Sequence, residues 1–538
     1  MRARHVTSEK DYRDPFGAAR LGGTVTISID VWSDDVVFCT LRVWTDAHGE
    51  ELIEMRGTAL GDRTRYSATY TPAETGIVWY SFDIESTDGS VWRYGAREGW
   101  TTGEGTFAYG DPPSFQITVY EPRENQPMWY RDGIVYQIFP DRFARGRDWR
   151  QRAAASLDTP RKGPARALVE DWSTPPTYKR TDDGRIAEWD FYGGTLEGIV
   201  EHLDYLESLG VTVLYLNPIF EAASNHRYDT ADYLAIDPML GDEHEFRRLC
   251  AECGRHGISI ILDGVFNHAG CDSRYFNKFG NYPGLGAAQG KDSPYANWFK
   301  CRDDGTYAAW WGVDDLPDLN EDDQEFRDFI CGKDGVVRKW LRAGARGWRL
   351  DVADELSDDF IVQIKDAVLA EKPDALLIGE VWEDASNKTS YGKLRQYFEG
   401  KELDGVMNYP LRTALLDFMC NRIGAMELTA RLEQLGENYP RNAFYSSLNL
   451  LGSHDRERLF TTLGGAPDPD TLPEDQKASY RLDEGQRSLA KSRLWLMALL
   501  QMTLPGVPCV YYGDECGLEG FRDPNNRATF PWDGGDHD

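Results

Sequence analysis

No apolar run in the 538 residues approaches the roughly 20 that span a bilayer, so no membrane anchor is expected. The amino terminus, MRARHVTSEKDYRDPFG, lacks the hydrophobic segment of a secretory signal, and a cytoplasmic location is the expectation. Basic residues are scarce beside acidic ones: 59 Lys and Arg against 89 Asp and Glu give a formal charge of −30. Such a chain repels nucleic acid and anionic membranes, which argues against both as partners. The nine cysteines are scattered and odd in number. Cys250 and Cys253 lie three apart, but no second Cys-x-x-Cys or His-x-His is near enough to complete a zinc site. Reduced thiols are therefore expected and no metal is assigned. Internal repeats and extended low-complexity tracts are missing as well. What is abundant is aromatic: 17 Trp and 27 Tyr offer flat faces that suit sugar rings as well as core packing.

A chain of this length predicts two or three domains. Alternating runs such as Val25–Val31, Phe38–Trp44 and Ile77–Ile84, separated by Asp46–Gly49 and Asp88–Ser90, predict an amino-terminal β-sandwich over residues 1–125. It ends at the proline- and charge-rich link Glu121–Pro127. From Gly133 an apolar strand, a polar loop and an amphipathic helix alternate. Strands are expected at Ile134–Phe139, Val211–Leu216, Ile258–Val265, Gly347–Val352, Ala375–Val381, Val406–Tyr409, Leu448–Gly452 and Val507–Tyr512, and helices at Leu196–Leu209, Glu243–His256, Gly335–Ala343 and Asp358–Leu369. Eight such units imply an α/β fold, a (β/α)8 TIM barrel over 126–268 and 326–538. The stretch 269–325 is too long for a simple connection and reads as a small excursion domain after strand three. Another long loop, Arg145–Asp190, shows little periodicity.

The stretch Gly347–Glu355 places Arg349 and Asp351 on one face of an otherwise apolar strand. Such charges are costly inside unless paired or used. On this stretch alone a structural ion pair explains them as well as chemistry does. Barrel active sites lie at the carboxyl ends of the strands, and polar residues gather there: Asp263 and His268 after strand three, Asp351 after four, Glu380 after five, His454 and Asp455 after seven. A structural role explains any one of them; so many at equivalent ends do not fit that explanation. Two carboxyl groups flanking a bond, with a third nearby, is what glycoside hydrolysis requires. Asp351 suits the nucleophile, Glu380 the acid/base and Asp455 the stabiliser of a cationic ring, with His268 and His454 as further hydroxyl or charge partners. A metal-dependent barrel hydrolase or isomerase is the competing class, weakened by the missing close histidine pair. A non-catalytic sugar binder does not explain the full set of carboxylates.

These motifs, Asp263-Gly-Val-Phe-Asn-His268, Gly347-Trp-Arg-Leu-Asp-Val-Ala353, Gly379-Glu-Val-Trp382, Ser453-His-Asp455 and Gly506–Glu515, resemble the α-amylase family of glycoside hydrolases, its neopullulanase, cyclomaltodextrinase and maltogenic-amylase branch most of all. The resemblance implies a retaining mechanism with the same three carboxylates, acting on α-1,4 bonds of maltooligosaccharides, cyclodextrins, pullulan or starch fragments. It adds His226 and Tyr228 as residues lining the sugar at the cleaved bond, Trp382 as an aromatic platform on the leaving-group side, Asp523 and Arg527 as contacts for the next sugar, and Asp263 as support for Arg349. It also suggests homodimerisation through the amino-terminal domain. Gly193-Gly-Thr-Leu196 and Ala144–Trp149 stand where the branch usually carries calcium ligands, so no cofactor is required, and calcium stays possible only without its usual ligands. Leu316–Asn320, Asp354 and Glu383 depart from the branch and leave α-1,6 debranching and glucan transfer as alternatives. After the eighth strand too few residues remain for the family's eighth barrel helix and carboxyl-terminal β domain. Their absence is expected, with exposed apolar surface and an inactive sugar binder as a third alternative.

Overall fold

The computed structural model describes residues 1–123, 126–302 and 304–533; Glu124 and Asn125 of the link lie outside the described residues. The chain divides into two compact units. One contains Met1–Gln126 together with Trp382–Val406 and Thr413–Ser447; the other contains Pro127–Val381, Met407–Arg412 and Leu448–Asp538.

The first unit is built on two largely antiparallel sheets. In one, Val25–Trp32 pairs with Arg2–Arg4 and Arg63–Tyr70; in the other, Gly76–Ser86 pairs with Val36–Thr45, Val91–Gly95 and Phe115–Tyr120. Side chains alternate along a strand, and the buried set Ile27, Ile29 and Val31 from the first sheet joins Leu41, Val43, Phe82, Ile84 and Ile117 from the second in one core. The helix Ala425–Asn438 belongs to the same unit, and its Glu437 accepts from Arg13 at 2.5 Å with both side chains buried.

Most of a (β/α)8 barrel belongs to the second unit, while the residues of its sixth strand fall within the range of the first. The barrel strands are Val135–Ile138, Val213–Leu216, Ser259–Gly264, Gly347–Leu350, Leu376–Gly379, Gly405–Val406, Leu448–Leu450 and Val507–Tyr511, numbered one to eight below. They pair in the order six-five-four-three-two-one-eight-seven, and a parallel bridge between Met407 and Leu448 completes the ring. All eight expected strands are present, seven of them shorter at one end or both, while the sixth starts one residue earlier, at Gly405. Strand four stops at Leu350, because Val352 turns into the left-handed region at φ 40°. Strand six ends at Val406 rather than Tyr409, which opens the helix Tyr409–Met419. The expected helix Leu196–Leu209 is two, Leu196–Val200 and Leu203–Ser208. Loop Arg145–Asp190 is more ordered than its lack of periodicity suggested: it holds the helix Trp149–Leu157 and a small sheet of Ala165–Leu168, Ile186–Phe191 and Lys179–Arg180. The stretch 269–325 contains short 3-10 turns and isolated bridges, while its last residues begin the helix Gln324–Cys331.

Period-two alternation explains how the barrel positions its polar residues. Val135, Val213, Ile261, Leu376, Leu448 and Val507 fill the lower interior. Two residues further along successive strands, the same inward row carries Gln137, Tyr215, Asp263 and, on strand four, Arg349. Two residues further again it reaches Asn217, Asp351 and Glu380, just beyond the strand ends. Gly347 begins the row on strand four, where a Cβ would come within 2.7 Å of the Leu376 side chain. After the eighth strand the described residues contain one 3-10 turn, Asn525–Arg527, and no α-helix. Helix Glu484–Thr503 leaves Trp495, Leu499 and Met502 exposed. No helix among the described residues is long and apolar enough to cross a membrane.

Candidate active site

The buried guanidinium of Arg349 is the hub. Its Nη1 donates to Asp263 Oδ1 at 2.6 Å and to Asp351 Oδ1 at 2.8 Å, and its Nη2 lies 2.8 Å from Glu380 Oε2. Three carboxylates thus share one cation with almost no exposure to solvent. Val352 contributes through its backbone: the turn at φ 40°, costly for a β-branched residue, aims its N–H at Glu380 Oε2, 2.8 Å away.

Asp263 is fully engaged. Its Oδ2 accepts from the hydroxyls of Tyr215 at 2.7 Å and Tyr228 at 2.8 Å, so all its bonds are internal to the protein. Burial pushes the Asp351 carboxyl well up, Arg349 pulls it down, and Glu380 and Asp263 push it up again. Asp263 is raised by burial too, and Arg349 opposes that rise.

Strand seven adds a second polar group. Gln137 Nε2 donates to His454 Nδ1 at 3.0 Å, which leaves the imidazole proton on Nε2. That nitrogen faces Tyr228 Oη at 2.6 Å and Asp455 Oδ2 at 3.1 Å. Burial and the charges of Arg527 and Arg349 hold His454 well below the ordinary histidine range, so it is a neutral donor. The Tyr228 and His454 rings stack 5.1 Å apart. Asp455 is more open, and burial with the like charge of Glu380 raises it to about 7. His268 is pushed down by burial to about 3; its Nε2 lies 4.0 Å from Asp351 Oδ2. His226 is also held well below its usual value by burial, and its Nδ1 accepts from Tyr228 N at 3.1 Å.

Loop 523–527 meets the same rim. Arg527 Nη1 pairs with Asp523 at 2.7 Å, while its Nε and Nη2 donate to the His454 carbonyl at 3.1 and 3.0 Å. Asp523 also accepts from Tyr178 Oη at 2.8 Å. The barrel therefore gathers Asp263, Arg349, Asp351, Glu380, His268, Tyr228, His226, His454, Asp455, Asp523 and Arg527. Trp382 follows Val381 in the chain and is 39% exposed. Sequence reasoning missed Gln137, Asn217, Tyr178, Tyr215 and Asn526. Asn217 Nδ2 donates to Tyr228 Oη at 2.9 Å, and Asn526 Nδ2 donates to the carbonyls of His454 and Arg456 at 2.7 and 2.8 Å. A lone Gln inside the apolar run of strand one and an Asn just past strand two were the available signals.

The chain matches the family described as alpha amylase, catalytic domain, over residues 137–534. It belongs to the α-amylase family. It is 38% identical to an amylopullulanase of Thermoanaerobacterium saccharolyticum across 98% of this chain and 43% of that protein. It is 37% identical to neopullulanase 2 of Thermoactinomyces vulgaris across 76% of this chain and 60% of that protein. Among solved structures it is similar to the type III pullulan hydrolase of Thermococcus kodakarensis, with TM-score 0.64 and 28% identity, covering 99% of this chain and 85% of that one. The chain thus spans less than half the length of the amylopullulanase it matches.

Proposed function

We propose that this chain is a retaining glycoside hydrolase that cleaves α-1,4-glucosidic bonds in maltooligosaccharides, cyclodextrins, pullulan or starch fragments. The observation that carries the proposal is the convergence of Asp351 and Glu380 on the single guanidinium of Arg349 at the strand ends, with Asp455 close to Glu380. A shared planar cation keeps two carboxylates near one another, which suits double displacement at a separation of about 5–5.5 Å rather than inversion at about 6.5–9.5 Å.

In this mechanism Asp351 attacks the anomeric carbon while Glu380 gives its proton to the leaving oxygen. Double displacement requires Glu380 to act as the acid and Asp351 as the ionised nucleophile. Once the leaving sugar departs, Glu380 takes a proton from water, and that water breaks the bond to Asp351. Ionised Asp455 opposes the positive charge that grows on the ring, and His454 and His268 offer N–H groups to the sugar hydroxyls. Tyr228 and His226 line the ring at the cleaved bond. Asp523 and Arg527 bind the next sugar, a role their mutual ion pair and their contact with strand seven support. Trp382 is a platform on the leaving-group side, a role supported by its exposure two residues after Glu380.

A second assignment, α-1,6 cleavage, is favoured by the match to an amylopullulanase over nearly the whole chain. Pullulan decides between them: panose marks α-1,4 cutting and maltotriose α-1,6. Release of no reducing sugar from pullulan, maltotriose and β-cyclodextrin alike would overturn both. The mechanism routes no step through a cofactor. Thr195, at the position of the family's usual calcium-binding aspartate, caps a helix instead, its Oγ1 accepting from Gly146 N and Gly198 N at 2.9 Å. A cytoplasmic location is part of the same proposal, supported by nine free cysteines. So is homodimerisation through the amino-terminal unit, supported by exposed Val37, Phe38, Trp44 and Leu52 on neighbouring strands. Sedimentation of the full chain should show a dimer; a monomer at every concentration contradicts that contact.

A further inference from the structure

We infer that Gln137 is a positioning residue of the site: from strand one it holds His454 in the tautomer that carries its proton on Nε2, and so sets the direction of the hydrogen bonds that run to Asp263. The inference rests on the glycosidase mechanism above. Gln137 is fully buried in the inward row of the barrel, where a polar side chain is costly unless bonded. Its Nε2 meets two groups, Asn217 Oδ1 at 3.2 Å and His454 Nδ1 at 3.0 Å. Its Oε1 is buried with no hydrogen-bond partner among the described residues. An unpaired buried carbonyl is costly, so the other end of the amide must account for its presence.

The direction of these bonds follows from Asp263. That carboxylate, paired with Arg349, accepts from the Tyr228 hydroxyl at 2.8 Å. With its one proton committed, Tyr228 Oη has only lone pairs for Asn217 Nδ2 at 2.9 Å and His454 Nε2 at 2.6 Å, so both of these donate. Asn217 then presents its carbonyl to Gln137, and an amide NH2 is what can face both that oxygen and a bare Nδ1. Gln137, Asn217, Tyr228 and His454 thus form a closed ring of bonds with one consistent direction. A proton on Nδ1 would reverse it: Nε2 would accept, the Tyr228 hydroxyl would turn to it, and Asp263 would lose that bond beside Arg349. Asp455 Oδ2, 3.1 Å from Nε2, favours the same proton position. The other charged or titratable groups acting on His454 are Arg527, Arg349 and His226, all of which oppose a second proton on the ring. Tyr215 and Tyr511 flank Gln137 in register, and burial holds both phenols well above the usual tyrosine range.

The test compares wild type, Gln137→Glu and Gln137→Met by nitrogen-15 NMR of the full chain labelled at histidine, with His454 assigned by its loss in His454→Gln. Wild type should show a protonated Nε2 and a bare Nδ1. Gln137→Glu at pH 8 should show the reverse, because a carboxylate only accepts, and Gln137→Met, with neither donor nor charge, a mixture of both. Wild type protonated on Nδ1, or either variant with the wild-type pattern, overturns the inference; a Met variant of that kind would mean that Asp455 suffices. Turnover of maltotriose adds a second reading. Relative to wild type, kcat/KM of Gln137→Glu should fall by roughly 10²-fold at pH 8, mostly in kcat, as for the loss of one oriented donor. At pH 5 the deficit should shrink to about 10-fold or less, because one more proton on the carboxylate and imidazole pair returns an N–H to Nε2 wherever that proton sits. An equal deficit at both pH values marks a packing defect and overturns the inference. If wild type cuts no α-glucan, the glycosidase assignment fails while the nitrogen spectra still test Gln137. If Gln137→Glu does not fold, the spectrum of Gln137→Met decides.

Discussion

Replacing Asp351 with Asn, or Glu380 with Gln, should lower kcat on maltotriose by roughly 10⁴-fold or more while the fold survives. Each substitution keeps the size of the side chain and an oxygen for Arg349, so positioning is preserved and only the reacting group is lost. The amide of the first variant could not form the glycosyl ester, and that of the second could neither protonate the leaving oxygen nor deprotonate water. The Asp351 variant has a second expected signature. Burial and like charge raise this carboxyl in the folded state above about 3.9 in the unfolded chain. Between those values the folded state binds the extra proton, so stability falls as pH rises through that window and the penalty is complete above the folded value. Asp351→Asn removes the penalty. Its melting temperature should exceed that of wild type at pH 7, and the difference should shrink toward pH 4. A variant that melts lower at pH 7, or one that retains activity, contradicts the role given to Asp351.

Arg349→Met should be more damaging than either, because it affects fold and chemistry together. The guanidinium is the shared partner of Asp263, Asp351 and Glu380 inside the barrel. Removing it leaves buried carboxylates without their cation, a loss of about 3–5 kcal/mol for a broken buried pair. The orphaned carboxyls would hold protons more tightly in the folded state, so the destabilisation should be greatest at neutral pH and smaller in acid. Activity should fall with it, since Asp351 could no longer be kept ionised beside Glu380. Arg349→Lys should lie between, because an ammonium cannot present the planar fork that reaches all three groups. Urea unfolding at pH 7 and pH 4.5, with maltotriose hydrolysis on the same samples, measures both effects. Wild-type stability and turnover in Arg349→Met would refute the hub.

The barrel was legible because its strands are short apolar runs, each followed by a conspicuous polar residue. Asp263, Asp351, Glu380 and His454 needed only the alternation of side chains and the rule that barrel sites sit at carboxyl ends. The supporting groups were harder to see. Gln137 and Asn217 look like ordinary interruptions of a strand until the ring closes and brings Gln137 to His454, 317 positions away. Tyr178 reaches Asp523 across 345 positions, from a loop without periodicity. Val352 was read as the end of a strand because β-branched residues favour that conformation; its left-handed turn is a tertiary demand, rewarded by the bond to Glu380.

If Asp351 forms a covalent glycosyl intermediate, the bond is replaced twice and the anomeric configuration is kept. Proton NMR of maltotetraose hydrolysis by wild type, recorded before mutarotation, tests it most directly. The newly formed reducing end should appear first as the α anomer, with no product from Asp351→Asn. A β anomer appearing first would mean single displacement and would contradict it.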